Sequence, residues 1–406
     1  MHQIKKILWC ILAFCFPIFP KLLPTVIVLL AILNIIDYTT LKKQVAFQKY
    51  ILLYYIFYGL LIVGLLFTSN ISHGLFDLET KLSFLLFPFL ACGVQINKKH
   101  IQRILTYFTL GNIIIIPSLI YNSYQNFLLE KQGVVIHPDY FLGKFNFYSS
   151  FFSRIIHPSY FSLYITLSIL FVLYILFTST ARKIVWIPAL LILCTGFYLC
   201  DSLMGFIAAG ITVPMFLFWK LKQTHKILFK LSLALGGLLI FASIIHYFPK
   251  IKEKYKAISH MDINKESKDS IYGRVLAWKA SIKLIKENPI LGVGTGDVRD
   301  ELLKKYQEMG YTGVAQKNYN PHNQYLQTYL STGVLGFLTL LLLLLIPVVL
   351  SLIKGKILYS LFLLLFLLNL TAESMLENQA GIVFFCFFNT IFAVDLFHKN
   401  QNNYKH

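Results

Sequence analysis

Apolar residues recur along the chain in runs of roughly twenty, separated by short polar segments. A helix of this length crosses about 30 Å of hydrocarbon. Blocks such as 113–116 and 338–345 are continuous and do not alternate, which argues against a transmembrane barrel. The pattern predicts an all-α membrane protein of about twelve transmembrane helices. The predicted spans are residues 4–20, 22–37, 51–67, 82–96, 101–122, 159–179, 184–199, 203–219, 227–247, 329–353, 357–371 and 380–397.

The apolar stretch from Ile7 ends at prolines without a small-residue cleavage site, so we expect a first span and no removable signal peptide. For the first, second and fourth spans, a kinked or re-entrant segment remains the alternative to a clean crossing because of four prolines, Pro17, Pro20, Pro24 and Pro88. The predicted organisation is helices 1–9 in residues 1–247, a large and partly helical outer loop in 248–328, and helices 10–12 with a tail in 329–406.

Basic residues in the short loops predict the orientation of the chain. One set of connections holds 18 lysines and arginines and the opposite set holds 5, with the long loop left out. The 18 are Lys5, Lys6, Lys42, Lys43, Lys49, Lys98, Lys99, Arg103, Arg182, Lys183, Lys220, Lys222, Lys226, Lys230, Lys354, Lys356, Lys399 and Lys405. The 5 are Lys21, Lys81, Lys131, Lys144 and Arg154. Both termini are therefore expected in the cytoplasm, with the long loop and the 125–158 loop facing outward.

Composition narrows the class of protein further. The chain is 57% hydrophobic and only 14% charged, which excludes an ordinary soluble globule. Its net charge of +19 is largely accounted for by topology, so no nucleic-acid partner is expected. The long loop carries 14 basic and 9 acidic residues, a surplus that suits anionic lipid headgroups, a phosphate-bearing glycan or solubility. The six cysteines form no CxxC pair, so we expect no disulfide framework, no metal site and no cofactor.

The long loop contains the first candidate residues. Residues 273–288 read as an amphipathic helix with apolar positions at Val275, Trp278, Ile282 and Ile285. Arg274 lies in its first turn and is either a surface arginine beside Trp278 or a ligand for an anion. The glycine-rich PILGVGTGD that follows comes after a helix and lacks GK[ST], so it indicates a tight turn with close backbone approach and not a nucleotide site.

Further candidates stand at the outer mouths of spans. His322 and Asn323 precede the tenth span, with Pro321 expected in the first helical turn. A histidine there is either an interfacial polar residue or a group for proton transfer.

Two other outward segments carry polar candidates. Arg154 and His157 precede the sixth span and are either interfacial anchors or binding groups. Glu373 and Glu377 lie four positions apart between the last two spans. A merely solvated carboxylate is favoured for Glu377 and less so for Glu373, which we place among the substrate-binding candidates.

The loop and the helix after it carry an ordered set of motifs. They are GR with a following W at Gly273, Arg274 and Trp278, PILGVGTG at 289–296, HN at His322 and Asn323, and LSTGVLG at 330–336. This order and spacing resembles the O-antigen ligase and polymerase superfamily over residues 248–350. The expected twelve-span layout, with a large loop between the ninth and tenth spans, extends the likeness over the chain.

The resemblance implies a metal-independent glycosyltransferase of the bacterial inner membrane. Such enzymes move a glycan from undecaprenyl pyrophosphate to an acceptor on the outer face, either lipid A-core, another glycan or a protein. It also implies that Arg274 contacts the pyrophosphate and His322 acts as base or orienting group, with Arg154, His157, Asn323, Trp278 and Glu373 as substrate-binding candidates. The family's arginine after a serine at the eighth span is absent here, because Leu203 follows Ser202.

Ligation to lipid A-core is the preferred interpretation, and repeat-unit polymerisation or transfer to protein remain open. A lipid or solute transporter is the rival from another class. Transporters place ionisable residues or broken helices near the bilayer midplane, where a charge costs roughly 2.5–3.5 kcal/mol on insertion scales. Nearly every charge in this chain lies at the end of a span, which disfavours transport.

Overall fold

The structure is a computed structural model that describes residues 1–37, 48–94, 96–132, 147–178, 183–221 and 270–397. These ranges contain helices and connecting segments but no strand. The helices are α1 His2–Ile18, α2 Leu23–Ile36, α3 Gln48–Leu65, α4 Ile71–Lys81, α5 Ser83–Cys92, α6 Lys98–Lys131, α7 Ser149–Phe152, α8 Pro158–Thr178, α9 Lys183–Leu199, α10 Leu203–Leu221, α11 Ser270–Glu287, α12 Val298–Glu308, α13 Thr312–Gln316, α14 Gln324–Ile353, α15 Ile357–Asn369 and α16 Gln379–Phe397. Two 3₁₀ turns lie at Pro20–Leu22 and Met375–Glu377.

Five of the described helices, α6, α8, α10, α14 and α16, are long and apolar enough to cross a membrane. Four shorter apolar helices, α2, α3, α9 and α15, accompany them. The all-helical prediction is confirmed, and the apolar helices are those of a multi-pass membrane protein. The described residues do not establish twelve spans, and the predicted span 227–247 lies outside them.

The predicted fourth span, 82–96, is wrong in extent. Its apolar part is α5, which has 10 residues and is therefore only about 15 Å long. The amphipathic α4 comes directly before it, with Leu82 between the two helices. The predicted fifth span, 101–122, is too short, because α6 continues for 34 residues from Lys98 to Lys131.

Contacts between helix ends sort the connections into two sets. At one end of the bundle Lys5 pairs with Asp37 at 3.0 Å and donates to the carbonyl of Gly93 at 3.3 Å. Lys356 pairs with Asp395 at 2.6 Å where α14, α15 and α16 meet. Glu373 precedes α16 and binds Arg274, whereas Asp395 near the end of α16 binds Lys356, so Arg274 and Lys356 lie at opposite ends of the bundle. Among the described residues, Lys98, Lys354 and Lys356 of the larger basic set thus lie together at the end opposite Lys81 of the smaller set.

The phenylalanine-rich α16 lies at the centre of the bundle. Phe384, Phe387 and Phe388 are buried, and they contact Phe16 of α1 with ring centroids 5.7, 5.1 and 6.2 Å apart. A helix that is apolar on all sides is stable when it is enclosed by other helices. Because α16 is enclosed in this way, it fixes the position of the Glu373–Asn378 segment that precedes it.

The glycine-rich segment after α11 packs against a break in α14. Gly333 has φ +65°, and a Cβ there would lie 1.9 Å from the carbonyl oxygen of Ile290. The amide of Val334 donates to that same oxygen at 3.1 Å, and the amide of Val293 donates to Leu330 at 2.7 Å. The predicted tight turn with close backbone approach is confirmed. It divides α14 into an outer part that borders the 318–323 segment and a long apolar part.

We predict that a membrane-impermeant maleimide labels Lys279→Cys in intact cells and labels Lys99→Cys only after permeabilisation. Both side chains are exposed in the structure, and they belong to opposite ends of the bundle. Wild-type protein gives the background, because it contains the exposed Cys194. Labelling of Lys99→Cys, but not Lys279→Cys, in intact cells would reverse the orientation inferred from the lysines.

Candidate functional site

The candidate site lies where α11, the segment before α14 and the segment after α15 meet. Arg274 occupies the second turn of α11 and is part-buried. Its Nη2 binds Oε2 of Glu373 at 2.9 Å, and its Nη1 donates to the carbonyl of Ala372 at 2.9 Å. The alternative of a surface arginine resting beside Trp278 is therefore wrong, because the guanidinium is held by a carboxylate and a carbonyl.

The packed face of α11 differs from the prediction. The helix was expected at 273–288 and forms over Ser270–Glu287. Its buried side chains are Tyr272, Leu276, Ala277, Ala280, Ser281 and Leu284. Ile282, which was assigned to the apolar face, is 46% exposed. The difference of about one position arises because α12, α13 and the outer part of α14 cover α11 from one side, and periodicity alone could not identify them.

His322 binds the other oxygen of the same carboxylate. Its Nδ1 lies 3.0 Å from Oε1 of Glu373. The residue has φ +45°, a left-handed conformation that is uncommon outside glycine. Its backbone amide donates to Oδ1 of Asn320 at 2.8 Å, and its ring meets the Tyr319 ring edge-on at 5.2 Å. The backbone and the ring are thus both fixed, with Nδ1 directed at Glu373.

Glu373 is the shared partner of Arg274 and His322. Its side chain is 12% exposed, compared with 25% for Arg274 and 23% for His322. Burial raises the pKa of the Glu373 carboxyl, but the hydrogen bond from His322 and the charge of Arg274 outweigh burial and leave the pKa below its ordinary value. The carboxyl is therefore ionised at neutral pH.

The other predicted site residues differ in their relation to Arg274, His322 and Glu373, which we call the trio. His157 is exposed, and desolvation lowers the pKa of its ring despite the opposing attraction of Glu373. Arg154 is also exposed, and its Nε donates to the carbonyl of Phe151 at 3.2 Å within its own segment. Trp278 lies one turn after Arg274, and its buried Nε1 has no hydrogen-bond partner among the described residues. His157 therefore lies within electrostatic range of Arg274, His322 and Glu373.

Asn323 serves as the N-cap of α14. Its Oδ1 accepts from the amides of Tyr325 and Leu326 at 2.9 and 3.2 Å. Its own amide donates to the hydroxyl of Ser374 at 3.2 Å. The helix therefore begins at Gln324, and the expectation that Pro321 occupies the first helical turn is wrong. Asn323 and not Pro321 sets the start of the helix, because its side chain accepts hydrogen bonds from two amides that would otherwise be unpaired.

A second charged group lies beside the first. Glu377 is 13% exposed and pairs with Lys81 at 2.6 Å, and Lys81 also pairs with Asp77 at 3.3 Å. The solvated interpretation of Glu377 is therefore wrong, as it is for Glu373. Gln324 joins Glu377 through its Nε2 at 2.9 Å, and its Oε1 accepts from the amide of Leu376 at 2.7 Å.

Sequence reasoning missed Lys81 and Gln324 as parts of this arrangement. Lys81 was counted only for topology, yet Asp77 four residues earlier was an available signal for a charged pair on one helix face. Gln324 directly follows Asn323 of the HN motif, which places it near His322 but gives no sign that Glu377 is its partner. Among the ranges that the structure describes, no group of three or more His, Cys, Asp or Glu side chains is arranged to hold a metal ion.

Comparison with known proteins assigns part of this architecture. A sequence model described as O-Antigen ligase matches residues 188–341. The match begins within α9 and ends within α14, so it includes Arg274, Trp278, His322 and Asn323 but not Arg154, His157 or Glu373.

An uncharacterized protein of Haemophilus influenzae (strain ATCC 51907 / DSM 11121 / KW20 / Rd) is 28% identical over 150 residues. That stretch is 36% of this chain and 37% of the relative's length, so the similarity covers little more than a third of either protein. The family match includes the motif-bearing loop, so the resemblance to the O-antigen ligase superfamily that the sequence motifs predicted is confirmed over residues 188–341.

Proposed function

We propose that the protein transfers a glycan from undecaprenyl pyrophosphate to an acceptor hydroxyl at the outer face of the bacterial inner membrane. The observation that carries the proposal is the single carboxylate of Glu373, which holds the Arg274 guanidinium and the His322 imidazole together. Both termini then lie in the cytoplasm, and the donor keeps its lipid tail in the bilayer. A diphosphate head and a sugar meet the protein at this rim.

The arrangement supplies two functions that glycan transfer requires. As the acceptor oxygen bonds to the anomeric carbon, the bond from that carbon to the phosphate oxygen breaks and its electron pair leaves with the diphosphate. An arginine fork forms charge-assisted hydrogen bonds worth roughly 1.5–3 kcal/mol each, and Arg274 makes two hydrogen bonds to the described residues. Its remaining N–H groups are the proposed contacts for the departing diphosphate.

His322 is the proposed acceptor of the hydroxyl proton. With Nδ1 on Glu373, the tautomer that donates to the carboxylate presents a lone pair at Nε2. A base oriented by a third group in this way typically contributes about 10² to 10⁴ in rate. Glu373 is a positioning residue here, because it touches the catalytic pair and not the reacting atoms. We assign His157, Arg154, Trp278 and Asn323 to substrate binding around this centre.

Lipid A-core is the acceptor that we propose, which makes the protein an O-antigen ligase. A repeat-unit polymerase or a protein-directed transferase would use the same pair of groups with a different acceptor. The charged pairs support transfer over transport, because Lys5–Asp37 and Lys356–Asp395 lie at one end of the bundle and Lys81–Glu377 and Arg274–Glu373 at the other. A transporter is expected to place such groups near the midplane.

We predict that Arg274→Ala and His322→Ala each reduce transfer by about 100-fold or more in a purified assay with lipid-linked glycan and lipid A-core. Arg274→Lys keeps the charge but loses the two-pronged geometry, so it recovers only part of the activity. Lys279→Ala, exposed on the same helix, and Gln316→Ala, exposed before the His322 segment, are the matched controls. Wild-type rates in both Arg274→Ala and His322→Ala would remove the proposed site.

Glu373→Gln tests the positioning role of the carboxylate. The amide keeps the length of the side chain but carries no charge for Arg274, so we expect a lower maximal rate because His322 and Arg274 lose their shared anchor. In wild-type protein the stabilisation from the Glu373 ion pair is present above the ordinary carboxyl pKa and is lost as pH falls through the lowered pKa, and Glu373→Gln is expected to lack this pH dependence. A wild-type maximal rate in Glu373→Gln would show that Glu373 does not act through His322.

We predict that a deletion strain loses surface polymer on lipid A while long polymer accumulates on the carrier lipid, as seen on a polysaccharide gel. Accumulation of single-repeat products would instead identify a polymerase. Unchanged polysaccharide with altered glycoproteins would identify a protein-directed transferase. Complementation with wild-type protein, but not with His322→Ala, ties the phenotype to the site.

A further inference from the structure

A cavity of about 250 Å³ borders the 318–320 segment just before His322, and its lining does not include Arg274, His322 or Glu373. Its walls come from α4, the start of α12, the segment before α14 and the outer part of α14. The aromatic side chains of Phe76 and Tyr319 lie in the same lining as the polar groups of His73, Asn318 and Gln327. Pockets that combine apolar faces with a few convergent polar groups are typical ligand sites.

Gln327 is the residue of this lining that indicates a bound ligand. The residue is 7% exposed, and its buried Oε1 has no hydrogen-bond partner among the described residues. Its backbone amide is satisfied by Asn323 at 3.0 Å, so only the side chain is left incomplete. Buried polar side chains in proteins are nearly always paired, and an exception points to an absent partner. A hydroxyl group can supply the missing donor.

The charges of the lining distinguish this cavity from a phosphate site. Two carboxylates, Asp77 and Glu377, line it, and both are bound by Lys81 at 3.3 and 2.6 Å. The exposed Arg299 and the imidazole of His73 complete the ionisable groups of the lining. Carboxylates beside a single guanidinium oppose a diphosphate, but their oxygens are suited to accept hydrogen bonds from hydroxyls. The chemistry favours a neutral polyhydroxy ligand.

The cavity is continuous with the segment that carries His322. Tyr319 and Asn320 both line it, and the first contacts the His322 ring while the second accepts from the His322 amide. Glu377 is linked to the first residue of α14, because it accepts a hydrogen bond from Gln324. The wall opposite is held in place by Asp297, which accepts from the amides of Ser69 and Asn70, both at 2.7 Å.

We propose that this cavity binds the terminal sugar of the acceptor glycan, with Gln327 and the Asp77 and Glu377 carboxylates accepting from its hydroxyls. The inference rests on the proposed function and adds the place where the acceptor lies. Because Arg274 is not part of the lining, the acceptor sugar and the diphosphate then occupy different places, and both border the segment that carries His322.

The test separates the two substrates kinetically. Purified full-length Gln327→Leu is assayed with lipid-linked glycan as donor and lipid A-core glycolipid as acceptor. We expect the KM for the acceptor to rise about tenfold, the effect of losing one good hydrogen bond, with the donor KM and kcat close to wild type. Gln316→Leu, an exposed glutamine outside the cavity, is the matched control. Arg299→Ala, at an exposed position of the lining, is the second variant, and we expect it also to raise the acceptor KM.

An unchanged acceptor KM in both cavity variants overturns the proposal, and so does a rise in the donor KM alone, which would assign the cavity to the donor glycan. If Gln327→Leu does not purify as a monodisperse protein, the acceptor and donor KM values of Arg299→Ala decide whether the proposal stands. Failure of wild-type protein to transfer any glycan defeats the proposed function instead. In that case thermal stabilisation of wild-type protein, but not Arg299→Ala, by free core oligosaccharide still supports the cavity, and equal or no stabilisation of both overturns it.

Discussion

The carboxylate of Glu373 is the group on which the arrangement of the candidate site depends. It joins three parts of the chain that are distant in sequence, since Arg274 is 99 positions away and His322 is 51. A buried carboxylate and a part-buried guanidinium each lose hydration energy, which their pairing offsets only in good geometry. The contacts at 2.9 and 3.0 Å provide that geometry. Without Glu373, the part-buried Arg274 would lose its counter-charge and the His322 ring would lose its hydrogen-bond partner.

The rest of the bundle holds these three segments in register. The enclosed α16 anchors the segment that carries Glu373, and the turn at Gly292 packs α11 against the break in α14 at Gly333. Asn323 caps α14 and bonds to Ser374, which brings the His322 segment alongside Glu373. The apolar helices supply the frame, and irregular backbone at one end of the bundle forms the candidate site. The left-handed backbone at His322 is a local strain of the kind found where function constrains geometry.

The sequence predicted the helical class and the separation of the described lysines, because apolar length and charge placement are local properties. Its motifs also singled out Arg274 and His322, which the fold brings to one carboxylate. It did not predict that α5 is short or that α11 packs through Leu276 and Ala280, since those features depend on which helices become neighbours. The partners of Glu377 were missed for the same reason, as Lys81 lies 296 positions away. Pairing across such distances leaves no periodic signature. The motifs identified the residues, and only the fold identified Glu373 as their common partner.

The most direct test of the proposed diphosphate site at Arg274 is a cryo-EM structure of the protein with undecaprenyl pyrophosphate bound. We expect the diphosphate within hydrogen-bond distance of the Arg274 guanidinium, with Nδ1 of His322 still on the Glu373 carboxylate and Nε2 facing the cavity lined by Gln327. A diphosphate bound at the lysine-rich end, or an Arg274 and His322 pair that separates when the lipid binds, would contradict it.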